Sequence, residues 1–363
     1  MEKMENNLYS VITGTGSYLP EVTVPNAHFL PQTFYDGNGT KIEKDNRETI
    51  DKLAQITGIQ ERRYVTDDLV ASDIAHLAAE NALESSRIDR ETLDYLIVAH
   101  NFGDVHAGNI RSEFVPSLAA RVKHKLGIVN PRTIAYDLPF GCPGWLQGMI
   151  QANYYLKSGD CRRVMVIGAE TLSRIYDPHD RDSMIYADGA GATILEAVTS
   201  DRPVGILSHA TRSDTLEHAF MLWMGRSYDP SHQGNELYLK MDGHKLYEYA
   251  LKTVPLVVQE SLEKAGVPIT AINKVLIHQA NEKMDEAIMK RLFRLCDAGE
   301  FTPGIMPMTI SWLGNSSVAT LPTLLDLILK GRVEEHEIGP GANLVFASVG
   351  AGMNINSIVY RMP

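Results

Sequence analysis

The 363-residue chain is poor in cysteine, in surplus positive charge and in long apolar runs, and each shortage removes a class of protein. Three cysteines, Cys142, Cys161 and Cys296, are an odd number in a long chain and suggest no disulfide framework, so a reducing, cytoplasmic setting is expected. Lys and Arg number 34 against 45 Asp and Glu, a net charge of −11 that argues against nucleic acid as a general partner. No stretch approaches the roughly 20 apolar residues of a membrane span. The polar start, Met1-Glu-Lys-Met-Glu-Asn-Asn, lacks the apolar core of a secretion signal. His100 with His106, and His209 with His218, lack metal-ligand spacing, so no metal is expected. Ala187-Asp-Gly-Ala-Gly is glycine-rich but does not follow a strand at dinucleotide spacing; Asp188 there is expected to brace the core.

What is present is an alternation of strand and helix signals. Tyr95-Leu-Ile-Val-Ala and Arg163-Val-Met-Val-Ile-Gly are short continuous apolar runs, as in strands buried on both faces. Thr133-Ile-Ala-Tyr136 reads as another buried strand. Between Ser72, a candidate N-cap, and Ser85, residues Ile74, Leu77, Ala78 and Ala82 make one helical face. Alternating elements with buried strands predict a layered α/β fold. Ser213 to Asn235 breaks the regularity and carries Met221, Trp223 and Met224.

Cys142 stands between such a strand and a helix running through Trp145, Leu146, Met149, Ile150 and Leu156. Pro143 suits a first helical turn. A thiol at a helix N-terminus is favoured as thiolate. On these residues alone Cys142 reads equally as a small buried hydrophobe. The segment Gly314-Asn315 to Lys330 lies on Gly141-Cys142 to Lys157 without a gap, and Ser261 to Ala280 lies on Ala82 to Asn101. The offsets, 173 and 179 residues, are close to half the chain and imply an internal duplication. It would set two strand-to-helix turns, bearing Cys142 and Asn315, face to face, with His278 at a strand end. Taken singly, His278 reads as a structural histidine and Asn315 as a turn or helix cap.

Seven motifs in order, Ile12-Thr-Gly-Thr-Gly-Ser-Tyr-Leu-Pro20, Thr57-Gly-Ile-Gln-Glu-Arg62, Ala187-Asp-Gly-Ala-Gly-Ala192, Met241-Asp-Gly243, Ile277-His-Gln-Ala-Asn281, Gly314-Asn-Ser-Ser317 and Val349-Gly-Ala-Gly352, make the chain resemble β-ketoacyl-acyl carrier protein synthase III, of the thiolase superfamily. The resemblance implies a thiolase-like duplicated five-layer αβαβα architecture. The halves are expected at residues 1–200, with the nucleophilic cysteine, and 201–363, with the histidine and asparagine. It also implies a Cys142-His278-Asn315 triad, an oxyanion hole from the backbone N–H of Cys142 and of Gly350, and a homodimer.

In that reading Cys142 accepts an acyl group from an acyl-coenzyme A or acyl-carrier-protein thioester, with no cofactor. A malonyl thioester then loses CO2 against His278 and Asn315, and the carbanion attacks the acyl group. Departures bear on substrate. Gly141-Cys-Pro-Gly-Trp145 changes the wall beside the nucleophile. Val115, next to Phe114, takes the place of a phenylalanine donated across the dimer to end the acyl pocket, which admits longer or branched acyl groups. The tryptophan that stacks on coenzyme A adenine is missing from Asp51 to Thr57. Lys283 takes the place of an arginine near the carrier entrance, where a basic rim suits an acidic carrier protein, while Arg62 and Arg63 read as solvated. The alternatives are transfer to an oxygen or nitrogen nucleophile, or a non-decarboxylating condensation with Glu113 as base. A non-catalytic partner subunit would have no need of all three triad residues.

Overall fold

A computed structural model describes residues 8–363. Its first sheet is made of β1 (Leu8–Tyr18), β2 (Tyr95–His100), β3 (Ile134–Pro139), β4 (Arg163–Thr171) and β5 (Asp188–Thr199), in the order β1-β5-β4-β2-β3. β5 is antiparallel to both its neighbours, whereas β4, β2 and β3 run parallel. The second sheet is made of β6 (Gly205–Ser213), β7 (Lys274–Ile277), β8 (Asn343–Gly350) and β9 (Asn354–Arg361), in the order β6-β9-β8-β7. Its strand directions repeat those of the first: two antiparallel pairs about β9 and a parallel pair β8/β7. Among the described residues, a counterpart of β3 is missing.

Side-chain alternation along each strand sorts the residues into three cores. Leu96 and Val98 of β2 face outward onto α1 (Ala71–Ser86) and α2 (Leu118–Lys125). Ile97 and Ala99 face inward with Leu276, Leu344 and Phe346 of the second sheet, onto α3 (Gly144–Ser158) and α6 (Thr320–Leu329). Val275, Ile277, Val345 and Ala347 face out the other side, onto α4 (Gly243–Ala265) and α5 (Glu282–Leu295). Helices, sheet, helices, sheet, helices: this is the five-layer αβαβα arrangement of a thiolase-like fold. The repeat read from the sequence recurs in detail. The helical turns Arg90–Thr92 and Ile269–Ala271 coincide at the 179-residue offset, as do the left-handed caps Arg87 and Gly266.

Several local expectations are corrected. β3 is half-buried rather than buried, because it is the outer strand of its sheet and pairs only on the β2 side. α1 starts one residue before Ser72, whose hydroxyl and N–H bind Asp104; Asp73 instead caps the N–H of Val70. Arg62 is fully buried, donating to the carbonyl of Val24 and to Asn26 and lying over the ring of Phe29. Asp188 braces the core as expected, accepting from the N–H of Val65 and from both donors of Ser173. No helix among the described residues is long and apolar enough to cross a membrane.

Candidate active site

The parallel strand β2 and the chain beyond β3 bring Cys142 to the seam between the two sheets. Gly141 precedes it in the left-handed region (φ +71°), a conformation open to glycine. α3 begins two residues later, after Pro143, and ends on the left-handed Gly159. Gly350, the last residue of β8, lies against this turn: a Cβ there would stand 2.7 Å from the backbone nitrogen of Cys142. The two backbones expected to form the oxyanion hole are therefore in contact, and only a glycine permits it.

His278 follows β7, its N–H donating to the carbonyl of Ala347 at 2.9 Å. The neighbouring Gln279 is buried and holds the incoming loop, donating to the carbonyl of Pro307 and accepting from the N–H of Thr309. That loop leads through the short helix Ile310–Leu313, not a strand, to Gly314 and Asn315. The strand-to-helix turn expected before Asn315 is thus absent; Pro307 and the helical turn Ile310–Leu313 occupy the place of β3. Asn315 is fixed instead by backbone bonds on both sides, its N–H to Ile185 and its carbonyl from Ala187. Its side-chain Oδ1 accepts from the N–H of Ser317 at 2.8 Å, which leaves the amide nitrogen free to donate.

Cys142, His278 and Asn315 line one cavity of about 210 Å³. Its other walls are mostly apolar: Phe102, Leu172, Tyr186 and a roof from the hairpin Leu222–Gly225 and Tyr238–Met241, which contributes Trp223, Met224, Leu239 and Met241. The irregular Ser213 to Asn235 segment thereby finds its place. Gly350 lines the same cavity. Trp145 does not: it is buried in the central core, against Phe346 and donating to Thr193.

The remaining expected residues lie elsewhere in this chain. Phe114 packs over the ring of His100, while Val115 is 89% exposed and touches none of the cavity. Lys283 is exposed on α5, one residue from the cavity-lining Met284. Glu113 pairs with Arg121 at 3.1 Å and stands 3.5 Å from His106, outside the cavity.

Burial dominates the electrostatics. It pushes the Cys142 thiol up to about 11; the Ser317 hydroxyl, 3.3 Å from the sulfur, pulls it down and Glu170 pushes it further up. Burial lowers His278 to about 4, so its imidazole is neutral at physiological pH and carries a single N–H. Glu170 is buried and raised to about 7. Sequence reasoning missed Asn101, Glu170 and Ser317, all polar groups close behind the sulfur. Asn101 had a signal: it aligns with Ala280 in the repeat, and both line the cavity.

A duplicated αβαβα fold with a cysteine, a histidine and an asparagine around one apolar cavity at its seam defines a thiolase-like condensing enzyme. A family model described as 3-oxoacyl-[acyl-carrier-protein] synthase III matches residues 136–215, and its C-terminal counterpart matches residues 262–362. The β-ketoacyl-[acyl carrier protein] synthase III of Thermus thermophilus is 28% identical with a TM-score of 0.79, over 97% of this chain and 99% of that one. The corresponding enzyme of Aquifex aeolicus is 26% identical with a TM-score of 0.77, over 97% and 99%. The priming β-ketosynthase of the R1128 polyketide pathway is 25% identical with a TM-score of 0.79, over 98% and 96%. The chain belongs to the 3-oxoacyl-[acyl-carrier-protein] synthase III family, whose members are condensing enzymes of the acyltransferase type.

Proposed function

We propose that this chain joins an acyl group to a malonyl thioester in two half-reactions centred on Cys142. The observation that carries this reading is the convergence of Cys142, His278 and Asn315 on one small apolar cavity. At about 210 Å³ the cavity falls below the roughly 300–1,000 Å³ of sites for drug-sized ligands, so it suits an acyl group rather than a whole coenzyme. A larger open depression, with Arg212, Lys245, Lys252 and Phe220 on its walls, shares Leu222, Trp223 and Met224 with the cavity. A pantetheine arm would enter there, its coenzyme A or carrier protein remaining outside.

In the first half-reaction the Cys142 sulfur attacks the thioester carbonyl. The bond to the departing thiol breaks, and the Cys142 proton leaves with that thiol. The oxyanion is held by the backbone N–H of Cys142 and of Gly350. In the second, malonyl thioester enters and its carboxylate leaves as CO2. The electron pair passes into an enolate whose oxygen accepts from the His278 N–H and the Asn315 amide. A neutral imidazole and an amide whose oxygen is already occupied by Ser317 suit this donation. The carbanion attacks the acyl carbonyl, the C–S bond breaks, and the released Cys142 thiolate takes up one proton from solvent.

The working form is a homodimer in the cytoplasm. The half-buried outer strand β3 and the exposed Phe114 and Val115 support a partner surface on that side of the first sheet. Fatty-acid synthesis and specialised polyketide synthesis both use such chemistry, and the expected room beyond Val115 favours acyl groups larger than acetyl. Incubation with acyl-coenzyme A and acyl-carrier-protein donors, followed by peptide mass spectrometry, tests the first half-reaction. The acyl mass is expected on the Cys142 peptide alone.

A further inference from the structure

Behind the sulfur lies a line of three polar residues that the two half-reactions leave unused. The Ser317 hydroxyl is 3.3 Å from Cys142 Sγ, and Asn101 Nδ2 is 3.1 Å from Ser317 Oγ. Asn101 Nδ2 also donates to Glu170 Oε2, which accepts from the Asn101 backbone N–H as well, at 2.9 Å. Glu170 is 1% exposed, and Asn101 and Ser317 are both at the cavity wall. Ser317 is held at a positive φ of 53°, uncommon for a residue other than glycine.

The hydrogen-bond inventory of these groups fixes a direction along the line. An ionised carboxylate only accepts, so the face of Asn101 turned to Glu170 must be its NH2 group. One amide hydrogen goes to Glu170 and the other is aimed at Ser317. Ser317 Oγ therefore accepts from Asn101, and its own hydrogen is left for the sulfur. With the amide reversed, Asn101 would present an oxygen to Glu170 and to Ser317, and the hydroxyl would turn away from Cys142. Burial raises the proton affinity of Glu170; His100 lowers it and Asp188 raises it. The two bonds from Asn101 favour its ionised form, and above pH 8 it is a carboxylate.

We infer that Ser317 is a further catalytic residue, whose hydroxyl donates to the Cys142 thiolate, and that Asn101 and Glu170 are positioning residues that aim it. The inference rests on Cys142 being the nucleophile but not on any acyl substrate. In the first half-reaction the donor stabilises the thiolate before attack. In the second it receives the thiolate again when the C–S bond to the product breaks.

The test is the rate of Cys142 alkylation by iodoacetamide between pH 8 and 11, read by mass spectrometry in the full-length protein without substrate. Ser317→Ala is expected to slow alkylation about tenfold at each pH from 8 to 10, so that a given rate is reached about one pH unit higher, the scale of a hydrogen bond to a charged group. Asn101→Leu is the sharper variant. It removes both amide hydrogens without adding a charge, and is expected to slow alkylation in the same direction, by up to about tenfold, although the hydroxyl is still present. The double variant Asn101→Leu/Ser317→Ala should be down about tenfold, not a hundredfold, because both changes remove one interaction. Should Asn101→Leu fail to fold, as judged by its melting curve, Asn101→Ala is expected to give a shift of the same sign. A packing role alone would leave the rate at each pH in place. Unchanged rates across that range in Ser317→Ala, or losses that multiply in the double variant, overturn the inference. A wild-type protein in which Cys142 does not alkylate overturns the nucleophile assignment instead.

Discussion

Gly141 and Gly314 hold the same backbone angle, φ +71°, 173 residues apart, each immediately before a side chain of the candidate site. The same device in each half of the chain turns Cys142 and Asn315 toward one cavity. At Gly314 a Cβ would stand 2.6 Å from Cβ of the buried Arg62 and 3.0 Å from that of Ala187, in addition to the left-handed backbone. Gly314→Ala is therefore expected to lose roughly 2 kcal/mol or more of stability. Urea unfolding measures it, and an unshifted midpoint would show that the backbone relaxes there at no cost.

Cys142 is expected to be the alkylation-sensitive thiol of the three. Cys161 is buried in the central core, and neither it nor Cys296 lines the cavity. Because burial holds the Cys142 thiol near 11, the thiolate fraction below that value rises tenfold with each pH unit. Iodoacetamide labelling should accordingly climb about tenfold per unit from pH 7 to pH 10 with no plateau. A plateau below pH 9 would mean a thiolate already present at rest. Cys161→Ala and Cys296→Ala should keep acyl transfer, and Cys142→Ala should abolish it.

His278 is expected to stay neutral. Its folded-state value, near 4, lies below the ordinary 6.5, so protonation on acidification is delayed rather than advanced. Its imidazole NMR signal, assigned by its loss in His278→Ala, should not shift between pH 8 and pH 5. A titration centred near 6.5 would place the ring in contact with water and undo the argument for a neutral donor.

Replacing either enolate donor should separate the half-reactions. His278→Ala and Asn315→Ala are expected to accept an acyl group on Cys142 yet release CO2 from malonyl thioester about 10²-fold more slowly or worse. Acylation lost with decarboxylation intact would reverse the roles.

The layers were legible because they rest on short-range rules. The apolar runs at Tyr95 and Arg163 are strands, and the repeat carried Gly141 onto Gly314. The candidate triad was named only through the resemblance, since a lone histidine or asparagine has many structural uses. What escaped depends on long-range approach. Arg62 looks like a surface residue until Phe29, Val24 and Asn26 enclose it. Glu170 lies in a buried strand whose sequence does not reveal that Asn101 will reach it from another segment, or that Ser317 will bond Asn101 from a third. Trp145 beside the nucleophile invited a role in the cavity, but helical phase turns it toward Phe346.

Val115 tests assembly together with chain length. It is exposed in the single chain, and in a homodimer it is expected to end the partner's acyl pocket. Val115→Phe should cut kcat/KM for long or branched acyl thioesters by roughly 5- to 150-fold, the range for overpacking by about 1–3 kcal/mol, and spare acetyl. Light scattering on both proteins reports the dimer. An unchanged chain-length profile, or an active monomer, would remove Val115 from the pocket.

Carbon–carbon bond formation at Cys142 at the expense of CO2 can be followed in a single turnover: protein loaded with an acyl group on Cys142, freed of donor, is mixed with malonyl-carrier protein labelled in the free carboxyl. One labelled CO2 and one β-ketoacyl thioester are expected for each acyl group lost from Cys142. Acyl groups that leave Cys142 while the label stays on the malonyl thioester would contradict that reaction.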